Sequence, residues 1–216
     1  MDYKKLLVES GLKMLNSGLT VATYGNISIR DASENKIYLT PSGMDYSTID
    51  VSDVVVCDPD GNVIDGHRKP TIEKELHLAI YRHRSDINAI IHTHPIYSTA
   101  ISCMGEDIPM FTDEAVQVLG DVCRRAEYAL PGSDELAANC LKAIGEKGNC
   151  CLLQSHGAVC AGKDIKGAFK VASVLEMTAQ ILCIIRSCGK QPIPISQENI
   201  EAMQYFIKYK YGQGKK

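Results

Sequence analysis

The sequence has no C-x-x-C pair, although its 216 residues include nine cysteines. Their number is odd, and most sit inside apolar runs such as Cys150-Cys151-Leu152-Leu153. That pattern argues against a disulfide framework and reads as reduced, buried thiols serving as small hydrophobes. None has the electropositive neighbourhood that makes a thiolate. Positive charge is not in excess: 23 Lys and Arg stand against 26 Asp and Glu, a net charge of −3. This removes the basic footprint of a nucleic-acid binder. The longest apolar run, Ile181 to Ile185, falls far short of the ~18 residues a membrane span needs. The start, Met1-Asp2-Tyr3-Lys4-Lys5, lacks the apolar block of a signal peptide, so a cytoplasmic protein without a membrane partner is expected. Neither G-x-x-x-x-G-K-[ST] nor G-x-G-x-x-G occurs, which leaves nucleotide binding without support. No repeat, low-complexity tract or Ser/Gly/Pro linker divides the chain. One domain over 1–216 is therefore expected, long enough to bury a core unaided.

What is present is a mixture of helical and strand patterns. Leu6, Leu7, Leu12, Met14 and Leu15 recur at helical spacing, and Gly18 closes that helix. Strand-like runs follow at Ile27–Arg30, Lys36–Thr40 and Asp53–Cys57, with Asp60-Gly61-Asn62 turning into Val63-Ile64. Pro70-Thr71 opens a helix that runs through Glu73 to His83. Ile87–His92 reads as a strand, Ile96–Cys103 as a helix and Val122–Leu130 as a further strand. Ser133 caps a helix ending at Gly145, Asn149–Gln154 is a buried strand, and Asp164 caps the longest helix, which ends at Gly189. Ser196 caps the last. Without a strict βαβ rhythm, the pattern predicts an α/β fold: three α/β/α layers around a largely antiparallel sheet.

The strongest chemical signal is Ile90-Ile91-His92-Thr93-His94-Pro95. Two histidines at i and i+2 on a strand point to one face, which suits a shared metal ion. A third, His156, follows the buried strand 149–154 and precedes Gly157, expected to let the chain turn sharply and approach a ligand. Three imidazoles at strand ends describe an open, catalytic zinc site rather than a closed structural one. His67, His77 and His83 have charged neighbours and read as solvated. Glu73, at a helix start where the macrodipole favours negative charge, is the candidate fourth ligand or base. Glu75 is about 200° further around the helix and cannot face the same ion. Three polar, glycine-containing segments could cradle an anion: Thr23-Tyr24-Gly25-Asn26, Thr40-Pro41-Ser42-Gly43 and the helix start at Thr71.

Taken in chain order, these pieces resemble the class II aldolase/adducin family, and within it most the L-fuculose-phosphate aldolases. Gly25-Asn26-Ile27-Ser28 and Thr40-Pro41-Ser42-Gly43 look like the family's phosphate loops. Pro70-Thr71-Ile72-Glu73 matches the segment that bears its catalytic glutamate, and His92-x-His94 with His156-Gly157 matches its zinc triad. The resemblance implies one Zn2+ per subunit on His92, His94, His156 and Glu73. It implies that the phosphate of a small sugar phosphate is bound at Thr23, Gly25, Asn26, Ser42, Gly43, Thr71 and Ile72. It also implies a homotetramer with active sites at subunit interfaces.

Two departures stand out. Where the fuculose-phosphate enzymes carry a neighbour's tyrosine as proton donor, an ungapped count from Pro109 places Glu114, beside Asp113. Where they have a second phosphate-binding serine, this chain has Ile72, which offers only its backbone. Their tail tyrosine best matches Tyr211. Aldol cleavage must stabilise an enediolate, through either a Schiff-base lysine in an apolar pocket or a Lewis-acid metal. Every lysine here lies in a charged stretch or on a polar helix face, so the metal route is expected. The substrate would be a ketose 1-phosphate cleaved to dihydroxyacetone phosphate and an aldehyde, with Glu73 moving the proton at C3 and Glu114 or Tyr211 serving the C4 hydroxyl. A dehydratase of the methylthioribulose-1-phosphate type or a 4-epimerase would use the same chemistry. An adducin-like interaction domain would have lost the metal ligands, and all are retained.

Overall fold

The computed structural model describes residues 1–213. One eight-stranded sheet is built from β1 (Asn26–Asp31), β2 (Lys36–Leu39), β3 (Val55–Cys57), β4 (Val63–Asp65), β5 (Ala89–Thr93), β6 (Arg125–Ala126), β7 (Cys150–Leu153) and β8 (Gly157–Gly162). Its order is β4-β3-β2-β1-β5-β8-β7-β6, antiparallel throughout except for β6 against β7. The helices are α1 (Tyr3–Asn16), α2 (Lys74–His83), α3 (Ile96–Cys103), α4 (Asp113–Val118), α5 (Asp134–Ile144), α6 (Ile165–Ser187) and α7 (Gln197–Tyr209).

Strand alternation divides the core into two. Ala89, Ile91, Cys150, Leu152, Ala158 and Cys160 pack with α1, α3, α4 and α6, whereas Ile90, Cys151, Leu153, Val159 and Ala161 pack with α2 and α5. The result is the expected α/β/α sandwich. Helix ends obey local chemistry: Asp2, Ser133, Asp164 and Ser196 each accept a first-turn backbone N–H. Gly18, Gly145 and Gly189 take the positive φ that ends α1, α5 and α6. By length and composition α6 could cross a membrane, but it serves as a core helix: Phe169, Val171, Leu175, Ala179 and Leu182 are buried. Its Glu176 carboxylate accepts from the Tyr97 and Ser98 backbone N–H groups and so caps α3.

Three sequence expectations need correction. The strand expected over 122–130 shrinks to Arg125–Ala126, because only that stretch meets β7. Strand β8 and helix α4 were not anticipated; β8 is buried on both faces along most of its length, so it shows no alternation. His77, expected to be solvated, is wholly buried. The helical period turns it toward the sheet, opposite the charged Glu75.

Candidate metal centre and active site

The central strand β5 ends in the two histidines. His92 shares the face of Ile90, toward α2, and pairs across the backbone with Asn26 of β1 and Val159 of β8. His94 follows two residues later, beyond the strand end, with the Tyr24 ring 5.6 Å away. The third imidazole comes from the turn between β7 and β8. There Ser155, not Gly157, takes the left-handed conformation, at φ 55°. Gly157 is required for a different reason from the one expected: a Cβ there would lie 2.2 Å from the Thr93 carbonyl oxygen. The glycine seats β8 against β5 instead of making room for a ligand.

These segments bring the ligating atoms of His92, His94 and His156 within 4.8 Å of one another. The His92 Nδ1–H donates to the Ala158 carbonyl at 3.0 Å, which leaves the Nε2 lone pair facing the cluster. Burial lowers the pKa of His92 to about 4. Burial, then the neighbouring imidazoles, lowers that of His94 to about 3; burial, then His92, takes His156 to about 4. All three are neutral at pH 7, as a metal ligand must be.

Glu73, at the N-cap of α2, completes the group. Its Oε2 lies 3.3 Å from His92 Nε2, and its Oε1 lies 3.7 Å from His156 Nε2. Glu73 Oε1 is buried without a hydrogen-bond partner, an arrangement that calls for a cation among neutral imidazoles. The donor set therefore fits a divalent ion. Glu75 points elsewhere, pairing with Lys74 and Arg82. His67 lies near Asp53, and the exposed His83 bonds the Ala79 carbonyl, both away from the cluster.

The three polar segments also converge. The Thr40 hydroxyl accepts from the Ile27 N–H, and Pro41 bridges antiparallel to Pro70, so that the Thr71 N–H donates to the Thr40 carbonyl and the Ser42 N–H to the Lys69 carbonyl. The Thr71 hydroxyl accepts from the Glu73 N–H at 3.3 Å. Gly25, at φ 73°, sits so close to β5 that a Cβ would come within 2.5 Å of the His92 carbonyl oxygen. Thr23 and Ile72 are exposed, while Asn26 and Thr71 are buried. Within a single chain, Glu114 and Tyr211 lie elsewhere. Glu114 is exposed on the first turn of α4, which packs on α6 and α7. Tyr211 follows α7, exposed, with its ring 6.0 Å from that of Phe206.

Residues 5–183 match the family described as the Class II Aldolase and Adducin N-terminal domain. The chain belongs to this family. It is 36% identical over 195 residues, 90% of either chain, to a 5-deoxy-D-ribulose 1-phosphate aldolase of Bacillus thuringiensis serovar kurstaki. It is 39% identical over 178 residues to an L-fuculose phosphate aldolase of Methanocaldococcus jannaschii, covering 82% of this chain and 94% of that one. A solved L-fuculose 1-phosphate aldolase superimposes with a TM-score of 0.92 at 36% identity, over 96% of this chain and 97% of that one. Class II aldolases are metal-dependent lyases, and the three-histidine cluster accords with that chemistry. The matched residues include every member of the cluster and all three polar segments, but not Tyr211.

The sequence reading passed over Tyr81, took His77 as solvated and met Ser28 only as the end of a phosphate-loop segment; all three are buried beside the site, with Ser28 bonded to both His77 and Tyr81. A signal was there: Glu73, His77 and Tyr81 recur at i, i+4 and i+8 on one helix face, opposite Asn26 and Ser28 at i and i+2 on a strand.

Proposed function

We propose that this protein is a zinc-dependent aldolase that reversibly cleaves a ketose 1-phosphate to dihydroxyacetone phosphate and an aldehyde. The substrate would be L-fuculose 1-phosphate or a similar deoxyketose phosphate such as 5-deoxy-D-ribulose 1-phosphate. The observation that carries this reading is the Glu73 carboxylate, buried, with one oxygen unpartnered, against three neutral imidazoles. His92, His94 and His156, with Glu73, would hold one ion per chain. When bound, that ion supplies Lewis-acid stabilisation for negative charge developing on the substrate's oxygens. The phosphate would rest among Thr23, Gly25, Asn26, Ser42, Gly43 and Thr71, with Ile72 contributing its backbone N–H. As the C3–C4 bond breaks, its electron pair stays on C3, and Glu73 delivers a proton there to give dihydroxyacetone phosphate. The C4 hydroxyl loses its proton as the aldehyde forms. Glu114 or Tyr211 of a neighbouring copy, in a cytoplasmic homotetramer, would take it.

A dehydratase or 4-epimerase is the second reading, favoured by an acid at 114 where the fuculose-phosphate enzymes have tyrosine. The deciding experiment gives purified, metal-analysed protein a panel of L-fuculose 1-phosphate, 5-deoxy-D-ribulose 1-phosphate, methylthioribulose 1-phosphate and L-ribulose 5-phosphate. Release of dihydroxyacetone phosphate, abolished by a chelator and restored by zinc, supports the aldolase. Loss of water from the thio-sugar, or inversion at C4 of the pentulose, with no dihydroxyacetone phosphate, overturns it.

A further inference from the structure

Behind Glu73 a row of buried side chains leads away from the metal cluster. Asn26 Nδ2 donates to Glu73 Oε2 at 2.8 Å, and Asn26 Oδ1 meets His77 Nε2 at 2.5 Å. His77 Nδ1 meets the Ser28 hydroxyl at 2.6 Å, which in turn lies 2.8 Å from the Tyr81 hydroxyl. Glu73, Asn26, Ser28, His77 and Tyr81 are each at most 5% exposed. Water cannot substitute for a lost partner here.

The donors and acceptors sort themselves in one way only. A carboxylate accepts, so Asn26 must turn its NH2 toward Glu73 and its carbonyl oxygen toward His77. His77 Nε2 must then carry the hydrogen. No carboxylate touches His77, and a wholly buried imidazole without one stays neutral, so its Nδ1 is bare and accepts from Ser28. The Ser28 oxygen is left to accept from Tyr81. If Asn26 flipped, its oxygen would face the carboxylate and its NH2 would face the imidazole N–H. With the Nε2–H tautomer held, two buried repulsions would replace two bonds, and even a change of tautomer would leave the amide oxygen against the carboxylate.

We propose that His77 is a positioning residue: by fixing which way the Asn26 amide faces, it holds Glu73 Oε2 and leaves Oε1 directed at the metal cluster and the substrate. This rests on Glu73 being the acid/base of the proposed aldol reaction. His77, Ser28 and Tyr81 would form the support behind the Asn26 amide.

The test has a spectroscopic arm and a kinetic arm on the metal-loaded protein. Nitrogen-15 spectra of its histidine rings, with His77 assigned by its disappearance in His77→Leu, should show His77 neutral and protonated on Nε2 from pH 5.5 to 8.5. An Nδ1–H tautomer would overturn the proposal. His77→Leu should lower kcat per bound metal about 10–100-fold, the usual loss for a partner behind a metal-site residue, with KM changed far less. His77→Gln, which keeps an N–H for Asn26, should restore most of it, and His83→Gln on the same helix should change nothing. Should His77→Leu fail to fold, Ser28→Ala gives the kinetic reading instead, with kcat lowered in the same direction. Unchanged kcat in folded, metal-loaded His77→Leu or Ser28→Ala would also overturn the proposal. A parent protein that cleaves no ketose 1-phosphate would instead refute the aldolase reading, and the tautomer would still decide the positioning of the amide.

Discussion

Gly157→Ala adds one methyl group at the seam between β8 and β5. The new Cβ would lie 2.2 Å from the Thr93 carbonyl oxygen and 3.4 Å from the His94 Cα. Real Cβ atoms keep at least 3.0 Å, so the strands must part by about 0.8 Å or more, and no flexible side chain is there to yield. Nor can β5 retreat, because Gly25 presses on its other side at the adjacent His92 carbonyl. Overpacking of this kind costs about 1–3 kcal/mol. In a domain of this size each kcal/mol lowers the melting temperature by about 2–4 °C, so a fall of about 2–12 °C is expected for the metal-free protein. The effect on chemistry should be larger. His156 sits one residue before the methyl and His94 one residue after Thr93, so the parting falls between two ligands. Misplacement by about 1 Å costs about 10²-fold in rate, and metal retention in a chelator competition should weaken as well. Gly43→Ala is the control. Position 43 has φ 68° but nothing within 4 Å of an added methyl, so this variant should lose only the about 1–2 kcal/mol of a left-handed residue and keep its metal affinity. A Gly157→Ala protein with the melting temperature and metal affinity of the parent would mean that the Thr93 carbonyl sets no limit on the side chain at 157.

Glu73→Gln should keep most of its metal on the three histidines yet lose about 10²-fold or more in kcat, whereas Glu75→Gln should be silent; the reverse pattern would misplace the acid/base. The metal-free protein should lose stability as pH falls. Burial lowers the pKa of His77 to about 3 and that of His92 to about 4, so from pH 6.5 down to 4 the unfolded chain takes up protons the native state refuses. Each such imidazole removes about 1.4 kcal/mol per pH unit, and equal urea midpoints at pH 7.5 and pH 5 would contradict this. Glu114→Gln should lower turnover on whichever ketose phosphate is cleaved while leaving metal content unchanged, and Asp113→Asn should do less. Equal and negligible effects would remove Glu114 from the reaction.

The histidine cluster was legible because its chemistry is written in local spacing: His92 and His94 share a face by strand period, and Glu73 stands where a helix begins. Helix caps were legible for the same reason, since Ser133, Asp164 and Ser196 act on N–H groups two or three residues away. What escaped depends on distant partners. Strand β8, Gly-Ala-Val-Cys-Ala-Gly, has no polar face to mark it. His77 reads as solvated until β1 is laid across α2. Gly157 is a turn residue in sequence, yet in space it is a spacer against Thr93. Glu114 and Tyr211 are the extreme case: within one chain they are exposed, and only a second copy could give them a place at a site.

The central pairings have a kinetic consequence. Ser28 pairs with Ile90, and Ile91 with Cys160, so both seams that frame the ion are closed by long stretches of intervening chain. Closures of that span are slow. During synthesis, His156 cannot meet His94 until β8 has left the ribosome, and before then Glu73, His92 and His94 lack the third imidazole. The full ligand set therefore forms only once β8 has closed on β5. The ion joins a scaffold already assembled, so its binding energy acts mainly by slowing unfolding and adds little to the folding rate. Starving a cell of the metal should thus shorten the lifetime of the finished protein more than it reduces the yield of newly folded chains.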